Sequence, residues 1–215
     1  AKTLNFSTSK TMSLAQQLYE GVDIKDHGTI GLITYLRTDS VRISEEADTS
    51  AREFIGEHYG EKFIAIKEEA KESKKRIQDA HEAIRPTYVT LTPVIVKESL
   101  SRDQFRLYQL IWKRFVASRM QPAKYETTTV KIDGNGYKFS TSASKLIFEG
   151  YMSVYTSDED DEQNKVSLKD INEESELILK ELNKSQHFTQ PPAHYTEASL
   201  VKTLEELGIG RPSTY

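Results

Sequence analysis

Gly31-Leu32-Ile33-Thr34-Tyr35-Leu36-Arg37-Thr38-Asp39-Ser40 opens with a glycine and three strand-forming residues. It then delivers a tyrosine, an arginine two residues on, and a cluster of small polar groups. On an extended backbone side chains alternate faces, which points Tyr35 and Arg37 the same way. A phenol and a guanidinium on one face suit chemistry on a phosphate. The phenol oxygen can attack, and the guanidinium can grip a phosphate in bidentate fashion and stabilise charge on the phenolate or the transition state. A tyrosine at a strand end beside an arginine more ordinarily packs and makes a surface hydrogen bond. The two-residue spacing does not decide between these roles.

On the N-terminal side, residues from about Ser9 to Glu20 read as a helix capped by Thr8 or Ser9. Met12, Ala15, Leu18 and Tyr19 form its apolar face and Gly21 ends it. Val22 to Thr29 reads as a polar loop, and Ile30 to Leu36 as the extended segment carrying Tyr35. On the C-terminal side, Ser44 caps a second helix whose first turn holds Glu45, Glu46 and Asp48. Its inner stripe is Ala47, Ala51, Phe54, Ile55 and His58, and Gly60 closes it. His58 follows that stripe and reads as a packed or half-exposed histidine rather than a ligand. Lys67 to Lys75 is dense in charge and reads as a mobile loop or a solvated helix end.

Ala80-His81-Glu82-Ala83-Ile84-Arg85-Pro86-Thr87 comes next. Pro86 pushes Arg85 out of helical geometry, so the chain turns here. A histidine and an arginine in one turn can converge on an anion, although a lone loop histidine is more commonly a satisfied structural residue. Ser101-x-x-Gln104 is a capping box for the best-signalled helix, with Phe105, Tyr108, Ile111, Trp112, Phe115, Val116 and Arg119 at helical spacing and Pro122 beyond it. Such an aromatic stripe reads as core rather than as a base-stacking platform. Arg102, Arg106, Lys113 and Arg114 ride the outer side.

The period then changes. Tyr125 to Ile132 is rich in threonine and β-branched residues, Asp133-Gly134-Asn135-Gly136 reads as a hairpin turn, and Tyr137 to Ser142 returns. Lys145–Phe148 and Met152–Tyr155 continue the strand pattern, and Leu177–Leu182 reads as a last strand. Gln190-Pro191-Pro192-Ala193 is a rigid linker. Thr196 caps a helix with Leu200, Val201, Leu204 and Leu207 on one face and Gly208 at its end. Pro212 stands where another helix would begin, and an ending inside its first turn is expected of a piece of a longer chain. Arg211, Ser213 and Thr214 there offer a cation, hydroxyls and free amides to a phosphate.

Composition sets bounds on all of this. The 215 residues suffice for one large or two smaller domains. No cysteine is present, which removes disulfides, thiol nucleophiles and cysteine zinc sites from this stretch. No apolar run reaches a membrane-spanning length, and the first residues lack a signal peptide's apolar core. The net charge of −4 alone argues against a nucleic-acid binder. Much of the acid is local, however, in Ser157–Glu162 and Glu173–Glu176. Neither Gly-x-Gly-x-x-Gly nor Gly-Lys-Ser/Thr occurs.

The decapeptide at Gly31–Ser40 closely resembles the active-site segment of the type IA DNA topoisomerases. In that family a tyrosine followed by X-Arg-Thr-Asp-Ser attacks the DNA backbone. Ala80–Thr87 resembles the family segment whose histidine contacts a DNA phosphate near the scissile site. Phe188–Pro192, Glu197–Val201 and Gly208–Tyr215 resemble it too, so the likeness runs along nearly the whole chain. It is least specific at 64–79 and 156–186. Leu36 after the tyrosine and an intact Glu82-Ala83-Ile84-Arg85-Pro86 are similar to the bacterial topoisomerase I branch rather than to topoisomerase III.

The resemblance implies an α+β fold in three parts. Residues 1–120 would be an α-rich, winged-helix-like nucleophile domain, 121–190 a β-rich portion of the arch and hinge, and 191–215 the start of a helical single-strand-binding segment. By the same resemblance Tyr35 is the nucleophile, with Arg37 as its catalytic partner. His81, Arg85, Arg211, Ser213 and Thr214 would contact DNA. No metal ligand or cofactor is implied within the chain; the intact enzyme would use magnesium held by a toprim domain elsewhere, so the isolated chain is expected to be inactive. The partner implied is DNA, mainly single-stranded or negatively supercoiled, acted on by a monomer in the bacterial cytoplasm and nucleoid. The competing expectations are a non-catalytic nucleic-acid-binding scaffold and, less well matched, a tyrosine recombinase, whose tyrosine would lie near the C-terminal end of its domain.

Overall fold

Capped, amphipathic helices place most of the core, and their ends fall where side chains can satisfy the free backbone amides. The computed structural model describes residues 2–66, 81–155, 172–173, 175–210 and 214. The fold class is α+β, as the sequence implies. The chain divides into two compact units. The first comprises residues 1–123, 149–156 and 195–215, and the second 124–148 and 157–194.

In the first unit, helix α1 spans Thr8–Glu20. Its cap is Ser7, not Thr8 or Ser9: the Ser7 hydroxyl accepts the Lys10 amide at 3.2 Å. Leu14, Ala15 and Leu18 are buried, whereas Met12 and Tyr19 stay exposed, so the apolar face is rotated from its expected position. The expected polar loop at 22–29 is instead a hairpin of β1 (Val22–Ile24) and β2 (Gly28–Ile30). Asp26 and Gly28 take positive φ, and Ile24 packs into the core with 1% of its surface exposed. Three-residue strands carry too little alternation to be read from sequence.

Helix α2 (Glu45–Tyr59) is capped by the Ser44 hydroxyl and closed by Gly60, as expected. A short α3 (Pro93–Val96) leads into α4 (Arg102–Ala117), whose Ser101–Gln104 capping box is present in both directions. The α4 stripe is core: Tyr108, Trp112, Phe115 and Val116 are buried together with Leu18, Leu32, Ile33, Ile55 and Val96. Its two polar aromatics each find a carbonyl, Tyr108 donating to Leu91 O at 2.6 Å and Trp112 to Val89 O at 2.8 Å. Burial pushes the Tyr108 phenol well above the ordinary value. The Trp112 ring meets Phe54 of α2 nearly perpendicular, at 5.6 Å.

Residues 152–155, expected to extend the strand pattern, belong to this unit, where Gly150–Ser153 forms a 3-10 turn. Gly150 adopts φ +51°, and a Cβ there would collide with the Gln121 and Pro122 backbone. Tyr151 donates to Gln121 O at 2.9 Å, which ties the turn down. Helix α5 (Glu197–Glu206) is capped by Thr196, with the Thr8 hydroxyl bonded to Glu197.

The second unit is built on a long ribbon of β3 (Lys124–Gly134) and β4 (Tyr137–Phe148). The register closes on Gly134↔Tyr137, leaving Asn135-Gly136 as a two-residue turn. Both have positive φ, the primed geometry that suits the strand twist. Leu177–Leu182, expected as a last strand, is not one. No described segment pairs with it, and Leu177, Ile178, Leu179 and Leu182 are exposed. A β-prone composition without a neighbouring edge has no ladder to join. The charged stretch at Lys67–Lys75 and the acidic run at Ser157–Glu162 lie outside the described residues.

Candidate active site

The tyrosine segment is fixed from both sides by backbone. Leu32 donates to Leu18 O at the end of α1, at 2.7 Å. Gly31 passes so close to α1 that a Cβ would sit 2.6 Å from Tyr19 O. On the other side runs the His81–Thr87 segment, antiparallel through an Ile33↔Pro86 bridge. Thr87 donates its amide to Leu32 O at 3.0 Å and its hydroxyl to Gly31 O at 2.7 Å. Thr34 donates its amide to Arg85 O at 3.0 Å and its hydroxyl to Ala83 O at 2.8 Å, while that hydroxyl accepts the Arg85 amide at 3.0 Å. The two sequence signatures, some fifty positions apart, are therefore one structural element.

This pairing brings His81 to Tyr35. The rings stack with centroids 5.6 Å apart and planes 23° from parallel. Tyr19 packs against the same tyrosine at 5.5 Å and 68°. Tyr35 keeps 40% of its surface exposed, so the ring is flanked while the residue remains accessible. The expected strand does not continue through it, because the chain bends at Leu36 and Arg37. Tyr35 and Arg37 nevertheless both face solvent, because Leu36 between them is anchored in the core. No hydrogen bond or ion pair engages Arg37 among the described residues. Beyond it the chain folds onto itself: Ser40 donates its amide to Thr38 Oγ1 and accepts the Arg42 amide on its own hydroxyl.

Arg85 is differently placed. Its guanidinium meets Glu82 through Nε and Nη2, each at 2.8 Å, and Nη1 donates to Pro86 O at 3.0 Å and toward Thr87 O at 3.4 Å. Only 13% of the side chain is exposed, and a phosphate would have to displace Glu82 to reach it. Arg211 and Ser213 lie outside the described residues, and Thr214 is an exposed turn residue. No group of three or more His, Asp or Glu side chains comes together as a metal site among the described residues.

Sequence reasoning missed Tyr19, whose helical position reads as core, and Thr34, whose hydroxyl joins the two segments. It also missed Glu82, although its three-residue spacing from Arg85 before a proline is a legible ion-pair signal.

A family model described as DNA topoisomerase matches residues 1–215. The chain is also similar to full-length topoisomerase I from Thermotoga maritima, solved in a monoclinic crystal form, at 42% identity and a TM-score of 0.77. That match covers 100% of this chain and 34% of the Thermotoga protein, so the chain spans about a third of its relative's length.

Proposed function

The chain belongs to the bacterial type IA DNA topoisomerase family, and we propose that it supplies the nucleophile of such an enzyme. The observation that carries this is the flanked but accessible Tyr35, stacked on His81 with the exposed Arg37 two residues on.

The Tyr35 Oη attacks the phosphorus of a phosphodiester in single-stranded DNA. A bond forms between Oη and phosphorus, the phenolic proton is lost, and the bond from phosphorus to the 3′ oxygen breaks. The 3′ oxygen leaves with a proton as a hydroxyl, and the 5′ phosphate remains on the tyrosine. Arg37 stabilises the charge on the phosphate in the transition state, and His81 binds a neighbouring phosphate. The reverse reaction reseals the strand. Ester exchange conserves the bond energy, so relaxation of negatively supercoiled DNA by strand passage needs no ATP. Magnesium would be held by acidic residues of the longer enzyme, outside this chain. The isolated chain is accordingly proposed to be inactive, and the enzyme to work as a monomer on DNA in the bacterial cytoplasm and nucleoid.

The test is covalent trapping. The full-length enzyme is incubated with magnesium and a 3′-labelled single-stranded oligonucleotide, then run on a denaturing gel. The wild type should give a protein-linked band that Tyr35→Phe abolishes while still binding the oligonucleotide. A band persisting in Tyr35→Phe would remove Tyr35 as nucleophile. Binding with no band in either protein would favour a non-catalytic DNA-binding scaffold.

A further inference from the structure

We infer that Tyr19 is a positioning residue for the Tyr35 phenol, an inference that rests on Tyr35 being the attacking group. Tyr19 lies one residue from the end of α1 and next to Leu18, which is fully buried. Tyr19 itself remains 39% exposed, so filling the core does not account for its ring. Its one ring contact among the described residues is Tyr35, at 5.5 Å with planes 68° apart.

The backbone beneath that contact is held at two adjacent positions. The Leu18 carbonyl accepts the Leu32 amide, and the Tyr19 carbonyl lies against Gly31. The last turn of α1 is thus locked to the segment three and four residues before Tyr35. The Tyr19 backbone is thereby held relative to that of Tyr35, and its ring lies where it can limit rotation of the Tyr35 side chain.

Attack on phosphorus demands that Oη lie in line with the departing 3′ oxygen, and rotation about the Tyr35 Cα–Cβ bond swings Oη through an arc, so a modest turn there spoils the alignment. His81 stacks on the Tyr35 ring, and Tyr19 closes a second direction at a steep angle. An edge-to-face pair depends on the aromatic ring and its quadrupole, not on the Tyr19 hydroxyl. Tyr19→Phe should therefore keep the function, and an apolar side chain without a ring should lose it.

The experiment measures single-turnover adduct formation on a labelled single-stranded oligonucleotide by the full-length enzyme, beside oligonucleotide affinity and melting temperature. Tyr19→Leu is expected to slow adduct formation at saturating oligonucleotide about 10-fold with affinity unchanged, and Tyr19→Phe to restore the rate. If Tyr19→Leu does not fold, Tyr19→Met takes its place in the same comparison. A wild-type rate in the non-aromatic variant overturns the proposal. So does a rate loss matched by equal losses of affinity and melting temperature, or a loss equally deep in Tyr19→Phe. Tyr35→Phe is run alongside. An adduct in that variant defeats the nucleophile assignment itself, whereas a lost adduct there with a full rate in Tyr19→Leu defeats only the role of Tyr19.

Discussion

Thr34 and Arg85 hold each other by two hydrogen bonds of 3.0 Å, amide to carbonyl in one direction and amide to hydroxyl in the other. The same hydroxyl also reaches Ala83 O. One side chain therefore sets the register between the tyrosine segment and the histidine segment. Thr34→Val keeps the volume and deletes every bond of the hydroxyl, leaving the Arg85 amide and Ala83 carbonyl unsatisfied. Loss of stability by about 1–3 kcal/mol is expected, since unpaired part-buried polar groups retain their desolvation cost. Urea unfolding measures it. Adduct formation should fall as well, because His81 is then less firmly held against Tyr35; an unchanged midpoint would show that the backbone bonds alone fix the register.

Gly31 is required for a different reason. It has no positive φ, but α1 passes directly over it, and a Cβ would stand 2.6 Å from Tyr19 O. The obstacle is backbone, which cannot swing aside. Gly31→Ala should cost about 1–3 kcal/mol, as overpacking does in a tight core. It should also disturb the Tyr19–Tyr35 contact. A thermal melt with no change would mean that the end of α1 yields more easily than its hydrogen bond from Leu32 implies.

Much of this architecture is legible from local chemistry. Ser44 with Gly60, Ser101 with Gln104, and Asn135 with Gly136 each carry their own instruction, because a cap or a primed turn is settled by a few adjacent residues. What fails is long-range. Val22–Ile30 is too short for its alternation to register, and the partner that would make Leu177–Leu182 a strand is not a property of those six residues. The candidate site divides the same way. Tyr35 and Arg37 are visible as a spacing, and His81 as a motif. That Thr34 joins them, that Glu82 occupies Arg85, and that Tyr19 reaches Tyr35 follow from contacts between segments that no local pattern encodes.

Asp48 makes the stability pH-dependent. Burial works to raise its carboxyl, but hydrogen bonds and charge from Arg52 at 2.7 Å and Arg119 at 3.2 Å outweigh it and hold it below its ordinary value of 3.8. A folded-state value lower than the unfolded one favours the fold above the unfolded value, and that contribution disappears as pH falls through the folded value. Wild-type stability should thus decline as pH falls below about 4, the ordinary aspartate range. Asp48→Asn should be less stable at pH 7, because Arg52 and Arg119 lose their anion, yet show a shallower acid limb. Parallel acid limbs in urea titrations from pH 7 to pH 2.5 would assign the dependence to other carboxylates.

Arg37 and Arg85 carry opposite expectations despite equal charge. Arg37 is exposed and unengaged among the described residues, so Arg37→Ala should change stability by no more than about 0.5 kcal/mol, as surface substitutions generally do. If its guanidinium meets a phosphate, the slope of log affinity against log salt for single-stranded DNA should shrink by about 0.7, one counterion's worth. Adduct formation should then fall even at saturating DNA, since the group also serves the transition state. Arg85 is committed to Glu82 and two carbonyls, so Arg85→Ala should cost about 2–3 kcal/mol of stability, as charge-assisted hydrogen bonds of limited exposure do. Its salt slope should stay unchanged under conditions where the variant is folded. Urea unfolding and fluorescence anisotropy at four salt concentrations separate the two residues. A reduced salt slope in Arg85→Ala would mean that DNA competes with Glu82 for the guanidinium and that the ion pair opens when the strand binds.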